Sequence, residues 1–137
     1  MTLSLLCVMG LSLPFPGGNV TAARELSKLQ GQWVLTETAD EHRTDAGDGH
    51  IRLEISRNTM VMKFHGTETN RGTLTILPSD SFPTVDLRLG KGQPIPGIFC
   101  LEGEVLIFCY DVPGKPRPQK LTPTGTQWRE TWRRVRP

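Results

Sequence analysis

Beyond residue 30, apolar residues recur at every second position through most of the chain, the period of a half-buried strand rather than of a helix. Trp33 and Leu35 mark a first strand, Ile51, Leu53 and Ile55 a second, Met60, Met62 and Phe64 a third, Leu74 and Ile76 a fourth, and Val85, Leu87 and Leu89 a fifth. Phe99 and Leu101 give a sixth, Leu106, Phe108 and Tyr110 a seventh, and Gln127 to Arg136 reads as an eighth. Turn formers punctuate the series at Asn70-Arg71-Gly72, Pro83, Gly90-Lys91-Gly92-Gln93-Pro94 and Glu102-Gly103. Ahead of it, Arg24 to Gln30 carries Leu26 and Leu29 three apart, enough for one or two helical turns, and Gly31 stops the helix.

Pairing follows from the turns. With Arg57-Asn58 as a two-residue connection, Ile55 meets Met60, Leu53 meets Met62 and Ile51 meets Phe64, which brings both apolar sets onto one face. Asn58 tolerates the positive φ of such a turn. His65 then falls on the opposite, solvated face of the third strand. A turn at Glu102-Gly103 sets Cys100 opposite Val105 and Cys109 four residues farther along the same face. At about 3.3 Å per residue the two lie roughly 13 Å apart, beyond the about 7 Å Cα limit of a disulfide, so two free, partly buried thiols are expected.

Eight short strands joined by short turns make a meander with one apolar face, and no long amphipathic helix is present to cover it. Closing the sheet into an antiparallel barrel buries that face and removes both edges, with a two-sheet sandwich as the alternative. The fold class is therefore all-β, an up-and-down barrel of about eight strands with a short N-terminal helical turn. Composition agrees: 137 residues, 36% hydrophobic and 22% charged, with 14 Gly and 11 Pro, suit one globular domain rich in turns.

The first charged residue is Arg24. The apolar run from Leu3 to Leu13 is too short to cross a bilayer, which takes about 20 apolar residues, so no transmembrane span is expected. It reads as the core of a secretory signal, broken by Pro14, Pro16, Gly17 and Gly18, with Thr21-Ala22-Ala23 as a cleavage site, although no Lys or Arg precedes it. Residues 1–23 are thus expected to be a signal peptide and residues 24–137 an exported, periplasmic or extracellular domain; a buried N-terminal helix is the alternative.

The segment Leu26-Ser27-Lys28-Leu29-Gln30-Gly31-Gln32-Trp33, a helical turn running into Gly-x-Trp, resembles the opening signature of the lipocalin and calycin barrels. Ile95-Pro96-Gly97-Ile98-Phe99, the hairpin through Leu106 to Cys109, and Pro113-Gly114-Lys115-Pro116-Arg117-Pro118 are similar to a narrower group, small exported lipocalin-like domains of planctomycete-type bacteria. The resemblance implies a lipocalin-like barrel and an exported location, and it carries no activity. In the wider family a basic residue on the last strand packs over the Gly-x-Trp ring, which makes Gly31, Trp33 and Arg134 the structural signature here, with Arg133 as the alternative cation.

Candidate chemistry is sparse. Trp33, Met60, Met62, Phe64, Phe99, Phe108 and Trp132, with Tyr110, are the inward candidates. Either they line an adaptable pocket for a small hydrophobic molecule or lipid, or they fill the barrel and leave it to act as a structural or interaction protein through its outer surface. From Lys115 to Pro137, seven Lys or Arg stand against the single acid Glu130. Strand alternation splits that basic run between two faces, and an exported protein seldom meets nucleic acid, so a nucleic-acid partner is not expected. If Trp128 and Trp132 point inward, Glu130 does too and needs a partner or marks a ligand contact. The loop from Ala39 to His50 gathers carboxylates and two imidazoles at spacings that match no calcium or zinc pattern, so neither metal nor cofactor is expected. No nucleophile has an assignable base, and the chain is not expected to be an enzyme.

Overall fold

The computed structural model describes residues 18–136, with side chains from Ala22 onward. Among them lie one helix, α1 (Gly18–Lys28), and nine strands: β1 (Gly31–Ala39), β2 (Thr44–Ala46), β3 (Ile51–Ser56), β4 (Thr59–Phe64), β5 (Thr67–Leu77), β6 (Thr84–Leu89), β7 (Ile95–Glu102), β8 (Val105–Tyr110) and β9 (Trp128–Arg134). Neighbouring strands pair antiparallel in the order β1-β3-β4-β5-β6-β7-β8-β9, and β9 returns to β1, so eight strands close into an up-and-down barrel. Closure leaves the apolar face inside and no main edge outside, which is the physical reason it prevails over a sandwich. No helix among the described residues is long and apolar enough to cross a membrane.

The helix starts earlier than the Leu26–Leu29 spacing predicts and straddles the boundary expected at residues 23 and 24. Ala22, Ala23, Arg24, Glu25 and Leu26 are good helix formers, and the Lys28–Glu25 pair at 3.1 Å adds a little on the exposed side. Gly31, at φ +121°, ends the run and turns it into β1. The first seventeen residues of the expected signal segment lie outside the described residues.

The β3–β4 hairpin has the register read from its alternation, with Ile55 opposite Met60, Leu53 opposite Met62 and Ile51 opposite Phe64. The positive φ of its turn falls on Arg57 (57°) rather than on Asn58. That position is held from the link between α1 and β1: Gln30 accepts from the Arg57 N–H (2.6 Å) and donates to its carbonyl (2.8 Å). His65 lies in the β4–β5 turn instead of on the third strand, at φ 50° beside Gly66 at 82°, and is exposed.

Two further departures share one cause, a glycine misplaced by local rules. β5 runs straight through Asn70-Arg71-Gly72, because a Cβ on the buried Gly72 would stand 2.3 Å from the Arg88 carbonyl; the glycine lets two backbones approach and makes no turn. Gly103 takes the first turn position of the β7–β8 hairpin, so Glu102 pairs with Val105, Cys100 with Ile107 and Ile98 with Cys109. This register differs by two residues from a Glu102-Gly103 turn, and a two-residue slip keeps every side chain on its face. The expectation of two free thiols fails at Cys100, which is disulfide-bonded; Cys109 is free and buried and so is not its partner.

An outer strap, Val112 to Gln127, is tied at both ends. Arg117 donates to Val85 O (2.7 Å) and Gly97 O (2.9 Å) and pairs with Asp86 (2.6 Å), while Arg129 reaches Leu121 O (3.3 Å) and Glu37 (3.0 Å). The strap thereby crosses the outer face of β7 and β8, where the buried Ile98 and Cys109 face each other. Much of the C-terminal basic run is consumed in this way by internal carbonyls and carboxylates.

Candidate functional site

Alternation along β1 and β9 fixes what each end of the barrel holds. At the α1 end, Trp33 is fully buried, donates from Nε1 to Leu29 O (3.0 Å), and lies beneath Arg134, whose Cζ is 4.2 Å from the ring centroid. Arg134 also donates to Gln30 O (2.6 Å) and Lys28 O (2.8 Å). One side chain thus satisfies carbonyls at the end of α1, stacks on an indole and closes the floor. Gly31 permits the approach, since a Cβ there would be 3.1 Å from Arg134 Nη1. Arg133, the other candidate cation, is exposed on the outer face.

Leu29, Val85, Phe99 and Leu106 are buried in the same core, so Trp33 and Phe99 belong to a packed floor and do not line open space. Both point inward, but at the level where α1 brings Leu29 across the barrel end.

Above the floor a cavity of about 190 Å³ remains. Leu53, Met60 and Met62 bound it on one side, Asn70, Leu74, Leu87, Leu89 and Ile95 on the next, and Phe108, Tyr110, Trp128, Glu130 and Trp132 on the third. Of the candidate liners, Met60, Met62, Phe108 and Trp132 are therefore at the site. Phe64 is not: it ends β4 beside the His65-Gly66 turn, is 46% exposed, and meets the His65 ring edge-on at 4.3 Å.

The third wall is an aromatic ladder. Phe108 and Tyr110 stack at 5.3 Å, and Tyr110 and Trp128 lie 5.6 Å apart at 33°. Gly97 makes room for it, because a Cβ at that position would stand 2.5 Å from Tyr110 Cδ1.

Glu130 is the unusual member. It sits on the inner face between Trp128 and Trp132, opposite Phe108 on β8 and Thr38 on β1. Its surface is partly accessible through the cavity, yet burial pushes its carboxyl up to about 6, with the Trp132 and Trp128 indole N–H groups opposing part of that rise. The Trp132 Nε1 donor is buried and makes no full hydrogen bond. Burial also holds the Tyr110 hydroxyl well above its ordinary value, and the nearby Glu130 charge adds to the effect.

A second hollow of about 140 Å³ adjoins the mouth, lined by Thr38, Ala39, Asp40, Arg43, Asp45 and Trp128, and it shares Trp128 with the first. The 39–50 loop gains order from Asp40, which accepts from the N–H groups of His42 (2.8 Å) and Arg43 (2.9 Å) and so turns the chain back as β2 onto β1. Its one cation, Arg43, pairs with Asp45 at 2.7 Å, leaving Asp40, Glu41 and Asp48 in excess. Among the described residues no three His, Cys, Asp or Glu side chains converge as metal ligands.

The chain matches no family model, no curated protein and no solved structure.

The sequence signal for the missed liners was parity. Once Trp132 faces inward, Glu130 and Trp128 must as well, while Tyr110, already an inward candidate beside Phe108, lines the cavity as expected. Asn70 carried no such signal, because it lay in an apparent turn.

Proposed function

We propose that this barrel is an exported, lipocalin-like binding module that takes a small, predominantly apolar molecule into its open half. The observation that carries the reading is the cavity of about 190 Å³ retained above a fully packed floor. An engineered apolar cavity of about 150 Å³ accepts benzene, whereas drug-sized ligands occupy about 300–1,000 Å³, so the volume suits one ring or a short branched group and is too small for a whole acyl chain. The Gly31, Trp33 and Arg134 geometry at the floor supports the lipocalin-like assignment.

Two features favour binding over the alternatives. Among the cavity liners the titratable side chains are Glu130 and Tyr110 alone, and neither has a nucleophile beside it to activate, which argues against catalysis. Action through the outer surface needs a docking patch, yet the exposed large apolar residues among those described are Phe64 (46%) and Val112 (37%), on separate elements. The test is titration of the full chain with toluene, followed by tryptophan fluorescence. Saturable one-to-one uptake that disappears in Met62→Trp, whose indole occupies the hollow, supports the reading. A chain that takes up nothing would sink it and favour a filled barrel.

A further inference from the structure

We propose that the ligand of this cavity is an organic ammonium, its cationic nitrogen seated on the Glu130 carboxylate among the rings of Tyr110, Trp128 and Trp132. The inference rests on the binding reading above and gives it a ligand class. A carboxylate inside a barrel needs a counter-charge, and the described residues provide none: among them Glu130 takes part in no ion pair. The arginines of its own strand are engaged elsewhere or turned away. Arg129 pairs with Glu37, Arg134 is spent on Trp33 and the α1 carbonyls, and Arg133 is exposed.

What surrounds the carboxylate instead is aromatic. Tyr110 and Trp128 lie 5.6 Å apart on one side, and Trp132 follows on the same strand face. Electron-rich rings and one carboxylate are the two features that attract an ammonium, and the carboxylate repels an anion. A neutral apolar molecule would satisfy the walls and leave the carboxylate uncompensated.

The test uses three probes of one size on the full chain by calorimetry: benzylammonium, benzyl alcohol and benzoate. The expected result is benzylammonium tighter than benzyl alcohol by about tenfold or more, with benzoate weakest, and a preference that falls to about one in Glu130→Gln. Benzyl alcohol or benzoate binding as tightly as benzylammonium would overturn the ligand class and leave the cavity reading standing. Failure of all three to bind would overturn both. The series on the unaltered protein decides between these outcomes, so the conclusion does not depend on the variant folding.

Discussion

Replacing Glu130 with Gln removes a charge while keeping the shape of the protonated acid, and it is expected to stabilise the fold at neutral pH. In the folded chain burial raises the carboxyl to about 6 from an ordinary value of 4.5. A group whose folded state binds its proton more tightly makes stability fall as pH rises between the two values, then level off. The difference of about 1.5 units corresponds to roughly 2 kcal/mol lost by pH 7. The assay is urea denaturation of both proteins from pH 4 to pH 8, read as the difference between them so that shared carboxylates cancel. Asp40 and Asp48 are lowered by backbone N–H donors, so their contribution is lost only as pH drops below about 4 and has the opposite sign. The two proteins are expected to be equally stable near pH 4. By pH 7 the Gln variant should lead by about 2 kcal/mol, or roughly 6–8 °C in Tm. A pH-independent difference, or a Gln variant less stable at pH 7, would show that the carboxylate is compensated after all.

Two other substitutions test how the barrel is divided. Arg134→Lys keeps the charge but cannot span Gln30 O, Lys28 O and the Trp33 face at once, and should cost about 1–2 kcal/mol in urea denaturation; an unchanged midpoint would mean that the floor does not depend on the guanidinium. Gly97→Ala places a methyl 2.5 Å from Tyr110 Cδ1 and should cost about 1–3 kcal/mol while driving the ring into the hollow, so probe uptake falls with stability; stability lost with uptake intact would show the ring yielding elsewhere.

The barrel itself was legible because period-two alternation survives in nearly every strand, and burial of one face leaves closure as the economical solution. The β3–β4 register could be read to the residue, since turn length and apolar pairing agreed there. Legibility ended at glycines. Gly72 and Gly103 carry the same local signature as a turn, and only the position of a neighbouring strand tells a close approach from a reversal. β2 was hidden for a related reason: Thr44–Ala46 has no apolar pattern, and its pairing is imposed by the Asp40 turn. At the site, inwardness was predictable but depth was not. Trp33, Phe99 and Phe108 all point inward, and only the placement of α1 across one end assigns the first two to the floor and the third to the cavity.

The same division explains why the carboxylate sits where it does. On β9 the inner face reads Trp128, Glu130, Trp132, Arg134 from mouth to floor. Arg134 is satisfied by helix carbonyls because α1 delivers them to that level, and an acid there would meet only acceptors. Two positions higher no helix end arrives, no basic side chain is within the ladder, and the facing residues are Phe108 and Thr38. A leucine at 130 would pack against the same rings without any desolvation penalty, so the barrel gains nothing in stability from the acid. On the proposed reading, its energetic return comes from a cation that enters the hollow beside the aromatic rings.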